Sequence, residues 1–369
     1  MSSACEINPK TGSLDNQFLY IDLESVVKGS LVKRQIIEKD GAPSRAQRVL
    51  KENDILYQCV RPYQLNNYIF EGDTIQCVAS TGYAQLRTTQ FPLYIFQALH
   101  TKQFTNQVLE RCTGTNYPAI NSSDLGTVEV PICSLPEQVK IGSLLALIDS
   151  RIKTQSKIIE ELTTLRSALH QGIMSTGLED GSWRMQTLAE VLSERTELNN
   201  EGHAVHSVSV SKGIVNQIEF LGRSFAAKDT SRYHVAYPGD VIYTKSPTGE
   251  FPYGIVKQSQ ISIKAALSPL YGVYVPISPE IGYIIHNHFL SAKNALNYLH
   301  QLIQKGAKNT INITNQRFLQ NSMPLPTNKI AALLYYNAIK TVSDKIILEE
   351  MLMEKFQSQK SFLLKTMFI

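Results

Sequence analysis

The sequence predicts an α+β fold in which two similar mixed α/β domains alternate with two long helices. Three observations predict it: a repeat with a period of about half the chain, strand-like alternation in each half, and two long stretches of helical periodicity. The 369 residues, 43% hydrophobic and 18% charged, suit two or three folded units that each have a core.

The repeat places similar short motifs at corresponding positions of the two halves. The N-D-I-L-Y run around Asp54 recurs as G-D-V-I-Y around Asp240, and the K-G pair at Lys28 recurs at Lys212. The offset is 184 residues between Lys28 and Lys212 and 186 residues between Asp54 and Asp240. Ordered matches with a slowly drifting offset indicate that a whole domain has been duplicated. The offset is far longer than the period of a solenoid repeat.

Each half is predicted to follow one order of elements. Runs rich in Val, Ile, Tyr and Thr between turn residues predict strands, which in the first half lie at 18–23, 54–59, 75–80 and 84–88. A helix is predicted at 91–110, with a counterpart at 278–305. A proline-containing strand at 127–132 is predicted to close the first domain.

Two long stretches are predicted to form helices that pair with each other. From 137 to 176 there is no proline, and apolar residues recur mostly every three or four positions, which is typical of an amphipathic helix with coiled-coil character. Pro136 suits the start of this helix, and Gly177 and Gly181 suit its end. A similar stretch follows Thr327.

Length is the reason to expect this pairing. A helix of about 40 residues spans roughly 60 Å and cannot bury its apolar stripe alone. The alternative is that each helix packs on its own domain. The predicted division is a first domain at 1–134, a central helix at 135–176, a second domain at 177–325 and a C-terminal helix at 326–369.

The sequence lacks the motifs of several enzyme classes. It has no Pro-Pro pair for the Asn/Asp-Pro-Pro-aromatic loop of amino-methyltransferases and no G-x-x-x-x-G-K-[ST] loop for ATP. Neither a G-x-S-x-G elbow nor an H-E-x-x-H helix motif is present. We therefore expect no catalytic centre and no bound cofactor in this chain.

A metal site and a membrane location are not predicted either. The five cysteines are widely spaced with no C-x-x-C, which suits neither a zinc site nor a disulfide framework. The pairs His203/His206 and His286/His288 are interpreted as solvated or hydrogen-bonded side chains. No secretory pattern and no apolar run of membrane length is seen, so a cytoplasmic location with reduced thiols is expected.

Three blocks of the sequence resemble the specificity (S) subunits of type I restriction-modification systems. They are A-P-S-R-A-Q-R at 42–48, T-G-T-N-Y-P-A-I at 113–120, and Val130-Pro131 followed by L-P-E-Q-V-K-I at 135–141. The last block, a strand proline followed by Pro-Glu-Gln and a long helix, is the most specific. The resemblance extends to nearly the whole chain and is looser in the second half, which opens with a Trp-containing segment at 183–188 that the first half lacks.

The resemblance implies two target-recognition domains, held apart by two antiparallel coiled-coil helices in a pseudo-twofold arrangement. Each domain would read half of a split double-stranded DNA site. The implied partners are two methyltransferase (M) subunits that bind S-adenosylmethionine and modify adenine, and often a restriction (R) subunit driven by ATP with Mg. These cofactors would belong to the partners and not to this chain.

Polar side chains on loops are the expected DNA contacts, because Arg pairs with guanine, Asn and Gln pair with adenine, and Lys, Ser and Thr hold phosphates. The candidates in the first half are Ser44, Arg45, Gln47, Arg48, Arg61, Arg87, Thr115, Asn116 and Tyr117. Those in the second half are Lys212, Arg223, Lys228, Arg232, Lys245, Lys308 and Asn309. Arg45 and Arg232 hold equivalent places, which suits a base reader, a phosphate contact or a residue that braces the fold.

Other functions stay open at this point. The net charge of +4, from 36 basic and 32 acidic residues, permits DNA binding without arguing for it. The alternatives are a coiled-coil scaffold or interaction protein without DNA contact, a specificity module that serves a modification enzyme of another type, and a complete enzyme such as a fused nuclease.

Overall fold

The structure is a computed structural model of the chain and describes residues 1–223, 227–305 and 311–368. The chain divides into two compact units. The first comprises Met1–Ile158 together with Glu349–Ile369, and the second comprises Ile159–Leu348. Both divisions fall inside long helices, so the segments 135–176 and 326–369, which were predicted as separate parts, are each shared between the units. No helix in the described ranges has an apolar stretch long enough to cross a bilayer.

Two four-stranded sheets form the framework of the first unit. The elements in chain order are β1 (Cys5–Ile7), β2 (Gln17–Ile21), β3 (Val26–Val27), β4 (Ser30–Leu31), β5 (Gln35–Glu38), β6 (Ala46–Val49), β7 (Ile55–Gln58), β8 (Tyr68–Ile69), β9 (Cys77–Ser80), β10 (Tyr83–Thr88), α1 (Pro92–Ala98), α2 (Lys102–Glu110) and α3 (Ser122–Thr127). One sheet has the order β1-β10-β7-β8 and the other has the order β5-β2-β9-β6, in which β2 and β9 are parallel. Ile55 of β7, Leu86 of β10 and Ile95 of α1 lie together in the main core of this unit.

The second unit repeats this order of elements after the long helix α4 (Leu135–Asp180). The remaining elements are β11 (Trp183–Thr187), β12 (Leu192–Glu194), β13 (His206–Ser209), β14 (Gly213–Asn216), α5 (Gln217–Leu221), β15 (His234–Ala236), β16 (Val241–Tyr243), β17 (Val256–Gln258), β18 (Ala265–Leu267), β19 (Gly272–Pro276), α6 (Pro279–His288), α7 (Ala292–His300), β20 (Gln304–Lys305), β21 (Ile311–Asn312), α8 (Asn315–Phe318), β22 (Ser322–Pro326) and α9 (Lys329–Met367). The sheet order β12-β19-β16-β17 matches β1-β10-β7-β8, and β15 pairs with β18 as β6 pairs with β9. The duplication predicted from the sequence repeat is therefore confirmed.

The prediction of a single helix at 91–110 is wrong, because the structure has two helices there. α1 ends at Ala98, and the side chain of Thr101 then accepts a hydrogen bond from the backbone N–H of Phe104, which caps the start of α2. The helix predicted at 278–305 is divided in the same way into α6 and α7, with Ser291 as the second cap. Apolar residues continue through both breaks, so periodicity alone did not reveal them.

The strand predicted at 127–132 is absent. α3 extends to Thr127, and residues 128–132 pair with no strand. The corresponding segment of the second unit, around Met323 and Pro324, does form β22, which pairs with β11 from Trp183 onward. A strand requires a hydrogen-bonding neighbour, and the described residues of the first unit include no counterpart of β11 to supply one.

The long helices pair within each unit, as predicted. In the first unit, Lys360 of α9 donates to Asp149 of α4 at 2.5 Å, and Gln155 of α4 donates to the carboxylate of Glu349. The α9 numbers fall as the α4 numbers rise, so the helices are antiparallel. The Gln155–Glu349 contact is buried, and a buried polar pair between two long helices favours one register over its neighbours.

The end of the described chain completes the core of the first unit. The ring of Phe368 lies 4.9 Å from the ring of Tyr94, measured between centroids, and Phe368 is 5% exposed. Leu363 and Met367 of α9 pack against the same cluster. This core therefore depends on residues separated by almost the full length of the sequence.

The central helix ends later than predicted. α4 continues through Gly177 to Asp180, and Gly181, with φ +78°, follows it. Gly177 has a packing role instead, because a Cβ added there would lie 2.1 Å from Cδ1 of Trp183. A Cβ added at Gly172, one and a half turns earlier on the same helix, would meet nothing within 4 Å.

Substitution of these two glycines should therefore have opposite effects. Gly177→Ala is expected to destabilise the second unit by about 1–3 kcal/mol, because Trp183 must move. Gly172→Ala is the matched control and should stabilise the helix by up to about 1 kcal/mol. Urea denaturation followed by Trp183 fluorescence measures both changes, and equal effects of the two substitutions would contradict the packing argument.

A buried aspartate precedes the same strand in both units and explains why this motif occurs in both halves of the repeat. Asp54, before β7, accepts from the backbone N–H three residues earlier at 2.7 Å and from Nε and Nη2 of Arg87 at 2.8 and 2.7 Å. Asp240, before β16, accepts from the N–H three residues earlier at 2.8 Å and from Nε and Nη2 of Arg195 at 2.7 and 3.0 Å. Each carboxylate thus closes a turn and binds one guanidinium.

Candidate nucleic-acid interface

Backbone hydrogen bonds in the first unit bring the predicted DNA-contacting loops side by side. The carbonyl of Arg45 accepts from the N–H of Thr81 at 2.9 Å, and the neighbouring carbonyl of Gly82 accepts from the N–H of Cys59 at 3.1 Å. The carbonyl of Cys59 accepts in turn from Ile120 at 3.1 Å. The segments 43–48, 80–82, 59–61 and 113–120 therefore form one continuous surface.

Most of the first-half candidates lie on this surface with accessible side chains. The exposed residues are Ser44, Arg45, Gln47, Thr115, Asn116 and Tyr117. Gln47 donates to the carbonyl of Ser44 at 2.7 Å, which holds the 44–47 turn together. The structure thus places together residues that are up to about 70 positions apart in the sequence.

Arg48 and Arg61 are half-buried on the same surface. The Nε atom of each is buried without a hydrogen-bond partner among the described residues, which is unusual for a buried donor. Burial also lowers the pKa of Arg48. The guanidinium of Arg61 lies over the ring of Tyr117, 4.3 Å from its centroid. Both arginines therefore keep donors that the described protein does not satisfy.

Arg87 differs from the other candidates because its guanidinium is already bound to the carboxylate of Asp54. Its Nε and Nη2 both bind the carboxylate of Asp54, which is 1% exposed. This hydrogen bonding raises the pKa of Arg87. The arrangement indicates a bracing role for Arg87, and a DNA contact by this residue stays a prediction.

The second-half candidates are distributed over several loops. Lys212 lies at the tip of the β13–β14 hairpin, with Nζ 5.5 Å from the ring centroid of Phe220. Lys228 and Arg232 are exposed before β15, while Arg223 is exposed and already has an interaction partner. Lys308 and Asn309 lie outside the described residues. Arg45 and Arg232, equivalent in the sequence, both occupy exposed turns just before β6 and β15.

Lys245 is more restricted than the other second-half candidates. It is half-buried with φ +62°, and burial lowers its pKa. Its backbone packs so closely on Gly254 that a Cβ there would lie 2.7 Å from the Lys245 nitrogen. The only non-glycine residue with positive φ among the described residues of this unit is Lys245.

Sequence reasoning missed an aromatic–cation cluster in the second unit. The guanidinium of Arg195 lies 4.1 Å from the ring centroid of Tyr237, and Nζ of Lys264 lies 4.6 Å from the same centroid. Glu197 and Glu201 approach these cations at 3.8 and 3.7 Å. The acidic neighbours reduce the positive field of the cluster, and no motif in the single sequence marks it.

A group of buried and half-buried bases lies in the second unit, and of these the sequence singled out only His286 and His288. Burial is the main cause that lowers the pKa of Lys257 to about 8, of His170 to about 4, and of His286 and His288 to about 3. His286 Nδ1 accepts from the backbone N–H of Gln258 at 3.2 Å. Among the described residues, no cluster of three or more His, Cys, Asp or Glu could hold a metal ion.

Comparison with known proteins gives sequence matches to one class of DNA-specificity protein. Residues 5–164 match the model of the type I restriction modification DNA specificity domain. The chain is 24% identical over 162 residues to the type I restriction enzyme HindI specificity subunit of Haemophilus influenzae, a match covering 42% of this chain and 32% of that protein. It is 26% identical over 165 residues to the putative type I restriction enzyme MjaX specificity subunit of Methanocaldococcus jannaschii, covering 42% and 37% respectively. The chain thus aligns with about a third of the length of these curated relatives.

Solved structures share the fold over the whole chain. A type I restriction-modification S subunit from M. genitalium superposes with a TM-score of 0.64 at 13% identity, covering 100% of this chain and 94% of that one. A chain from a study of complex assembly and conformational transition in the type I R-M system superposes with a TM-score of 0.51 at 17% identity, covering 100% and 96%. At these identities the likeness shows a common fold.

Proposed function

We propose, from the premise that residues 5–164 belong to the type I restriction modification DNA specificity domain family, that the whole chain is the specificity subunit of such a system. It binds a bipartite double-stranded DNA site, with one half of the site read by each unit. The observation that carries the proposal is the duplicated unit: the same strand order occurs twice, and basic side chains lie on loops of both units.

The chain directs catalysis without performing it. Adenine methylation requires extrusion of the base and a bound methyl donor, and the sequence has no Asn/Asp-Pro-Pro-aromatic loop for that chemistry. Methyltransferase subunits therefore supply S-adenosylmethionine, and a restriction subunit, where present, supplies ATP- and Mg-dependent cleavage. The protein acts in the cytoplasm, where its DNA substrate is accessible.

Two surfaces on the long helices are the proposed docking sites for two methyltransferase subunits. In the second unit, α4 and α9 form an apolar groove lined by Leu165, Ile330 and Leu334, of which Ile330 is 73% exposed and Leu334 is 66% exposed. In the first unit, the corresponding surface of α9 around Phe362 is more polar. Exposed apolar side chains of this size mark interaction sites, and the chemical difference predicts unequal docking.

Exchange of one domain tests the function. Replacement of residues 1–134 by the equivalent domain of another specificity subunit is expected to change one half of the methylated motif and leave the other half intact. Methylome sequencing of cells that express the chimera with the cognate methyltransferase measures this. A scaffold without DNA contact predicts no methylated motif that depends on this chain, and an unchanged motif would likewise exclude the proposed role.

A further inference from the structure

The two units place a basic residue in a strained backbone conformation after the same strand. Arg61 follows β7 with φ +54°, and Lys245 follows β16 with φ +62°. Arg61 lies three residues after the end of β7, and Lys245 lies two residues after the end of β16. Left-handed backbone is unfavourable for long side chains, and it persists where the surroundings impose it, often at functional sites.

The surroundings hold both backbones in place by different means. The N–H of Arg61 donates to the carbonyl of Pro118 at 2.8 Å, which ties this residue to the 113–120 loop. The N–H of Thr244 donates to the carbonyl of Ile255 at 3.1 Å, and Gly254 leaves room for the backbone of Lys245. The backbone from which each basic side chain extends is therefore held by contacts within its own unit.

Arg61 presents a planar cation with a defined orientation. Its guanidinium stacks on Tyr117, which is itself 65% exposed. No carboxylate of the described chain lies within ion-pair distance of Arg61, in contrast to Arg87 on Asp54. A stacked guanidinium loses little freedom on binding, and its paired N–H groups match O6 and N7 of guanine in the major groove.

Lys245 presents a compact charge without the planar fork. Its side chain is half-buried, and none of the described carboxylates forms an ion pair with it. An ammonium group held in this way suits a phosphate oxygen, which accepts a point charge from many directions and carries no sequence information.

Resting on the proposed function, we infer that Arg61 reads a guanine edge in the half-site bound by the first unit, with Tyr117 as its positioning residue. Lys245, which follows the corresponding strand of the second unit, binds a DNA phosphate. Both units therefore place a basic residue in left-handed backbone shortly after this strand, and the residue type determines whether it contributes sequence readout or affinity.

The test uses the full chain in complex with its methyltransferase and begins with the methylated motif of the unaltered protein. Binding is then measured by fluorescence anisotropy on duplexes that carry this motif and on a panel with each base pair replaced. Arg61→Lys is expected to reduce discrimination at one G·C pair of the first half-site by roughly 5- to 150-fold. Discrimination at all other positions is retained. Arg34→Gln, an exposed arginine paired with Asp73, serves as the control and leaves discrimination unchanged.

Tyr117 and Lys245 give independent readouts. Tyr117→Leu removes the stack and reduces discrimination at the same G·C pair more than Tyr117→Phe, which retains an aromatic face. Lys245→Gln weakens binding to every duplex by a similar factor, leaves the preferred motif unchanged, and lowers the slope of log affinity against log salt by about one.

Each failure has a separate meaning. If the unaltered complex methylates no defined motif, the proposed function itself fails. If the motif is present but Arg61→Lys keeps full discrimination, or weakens all duplexes uniformly, the base-reading role is overturned. If the Arg61 variant does not fold, the Tyr117 variants decide: equal discrimination at the G·C pair by Tyr117→Leu and Tyr117→Phe overturns the base-reading role of Arg61. A change of motif in Lys245→Gln overturns the phosphate assignment.

Discussion

Acidification from pH 7 to pH 5 is expected to destabilise the second unit by up to about 6 kcal/mol. His170, His286 and His288 have pKa values lowered by burial to about 4, 3 and 3, whereas an unfolded histidine titrates near pH 6.5. The unfolded state therefore binds more protons below about pH 6.5, and stability falls as the pH falls. The stability contributed by the three neutral histidines is fully present above about pH 6.5 and is lost progressively toward pH 4. By pH 5 the loss is about 2 kcal/mol per histidine.

The single tryptophan allows the stability of the second unit to be measured separately. Trp183 is the only tryptophan of the chain and is buried in the core of that unit, so its fluorescence in urea reports the unfolding of that unit at each pH. The first unit has one such histidine, His100, with a pKa lowered to about 4, and should lose only about 2 kcal/mol over the same range. His288→Asn should reduce the pH dependence of the Trp183 transition by about a third. A transition that does not change between pH 7 and pH 5 would exclude the effect.

Removal of the Asp54 carboxylate is expected to be the most damaging single substitution in the first unit. Asp54→Ala leaves Arg87 without its partner and removes one of the two acceptors of Gln85 Nε2, which keeps only the carbonyl of Val49 at 2.9 Å. Breaking a buried ion pair of this kind costs about 3–5 kcal/mol. Asp73→Ala is the control, because its pair with Arg34 lies at the surface, where such pairs contribute at most about 1 kcal/mol.

The equivalent substitution in the second unit should cost less. Arg195 retains a second carboxylate, Glu197 at 3.8 Å, and the ring of Tyr237 after Asp240→Ala. Urea denaturation followed by circular dichroism for the first unit and by Trp183 fluorescence for the second gives the two free energies of unfolding. If Asp54→Ala costs no more than Asp73→Ala, the buried carboxylate does not organise the turn.

The sequence was most informative where one local motif has one structural cause. The N-D-I-L-Y and G-D-V-I-Y runs mark Asp54 and Asp240, and both aspartates close the same turn. The long helices were also predictable, because their periodicity continues over many turns. The resemblance to type I specificity subunits is matched by the family model over residues 5–164, and the fold is shared with a solved S subunit over the whole chain.

The predictions of secondary structure were wrong where tertiary contacts determine whether an element forms. The strand at 127–132 failed because a strand depends on a neighbour that this segment lacks, and the break before α2 depends on one cap, Thr101. Arg61 and Lys245 both have positive φ although neither is a glycine. Neither backbone strain nor a partner such as Asp54 for Arg87 can be read from residue type alone.

The division of the chain has a consequence for biosynthesis. The second unit is one continuous segment, Ile159–Leu348, whereas the first unit also needs the segment that begins at Glu349. Because domains fold as units while the chain emerges from the ribosome, the second unit has all its residues before the first is complete. The contact between Tyr94 and Phe368 forms only after Phe368 has emerged from the ribosome. The half that is synthesised first is therefore the half that finishes folding last, and nascent chains carry its open core until then.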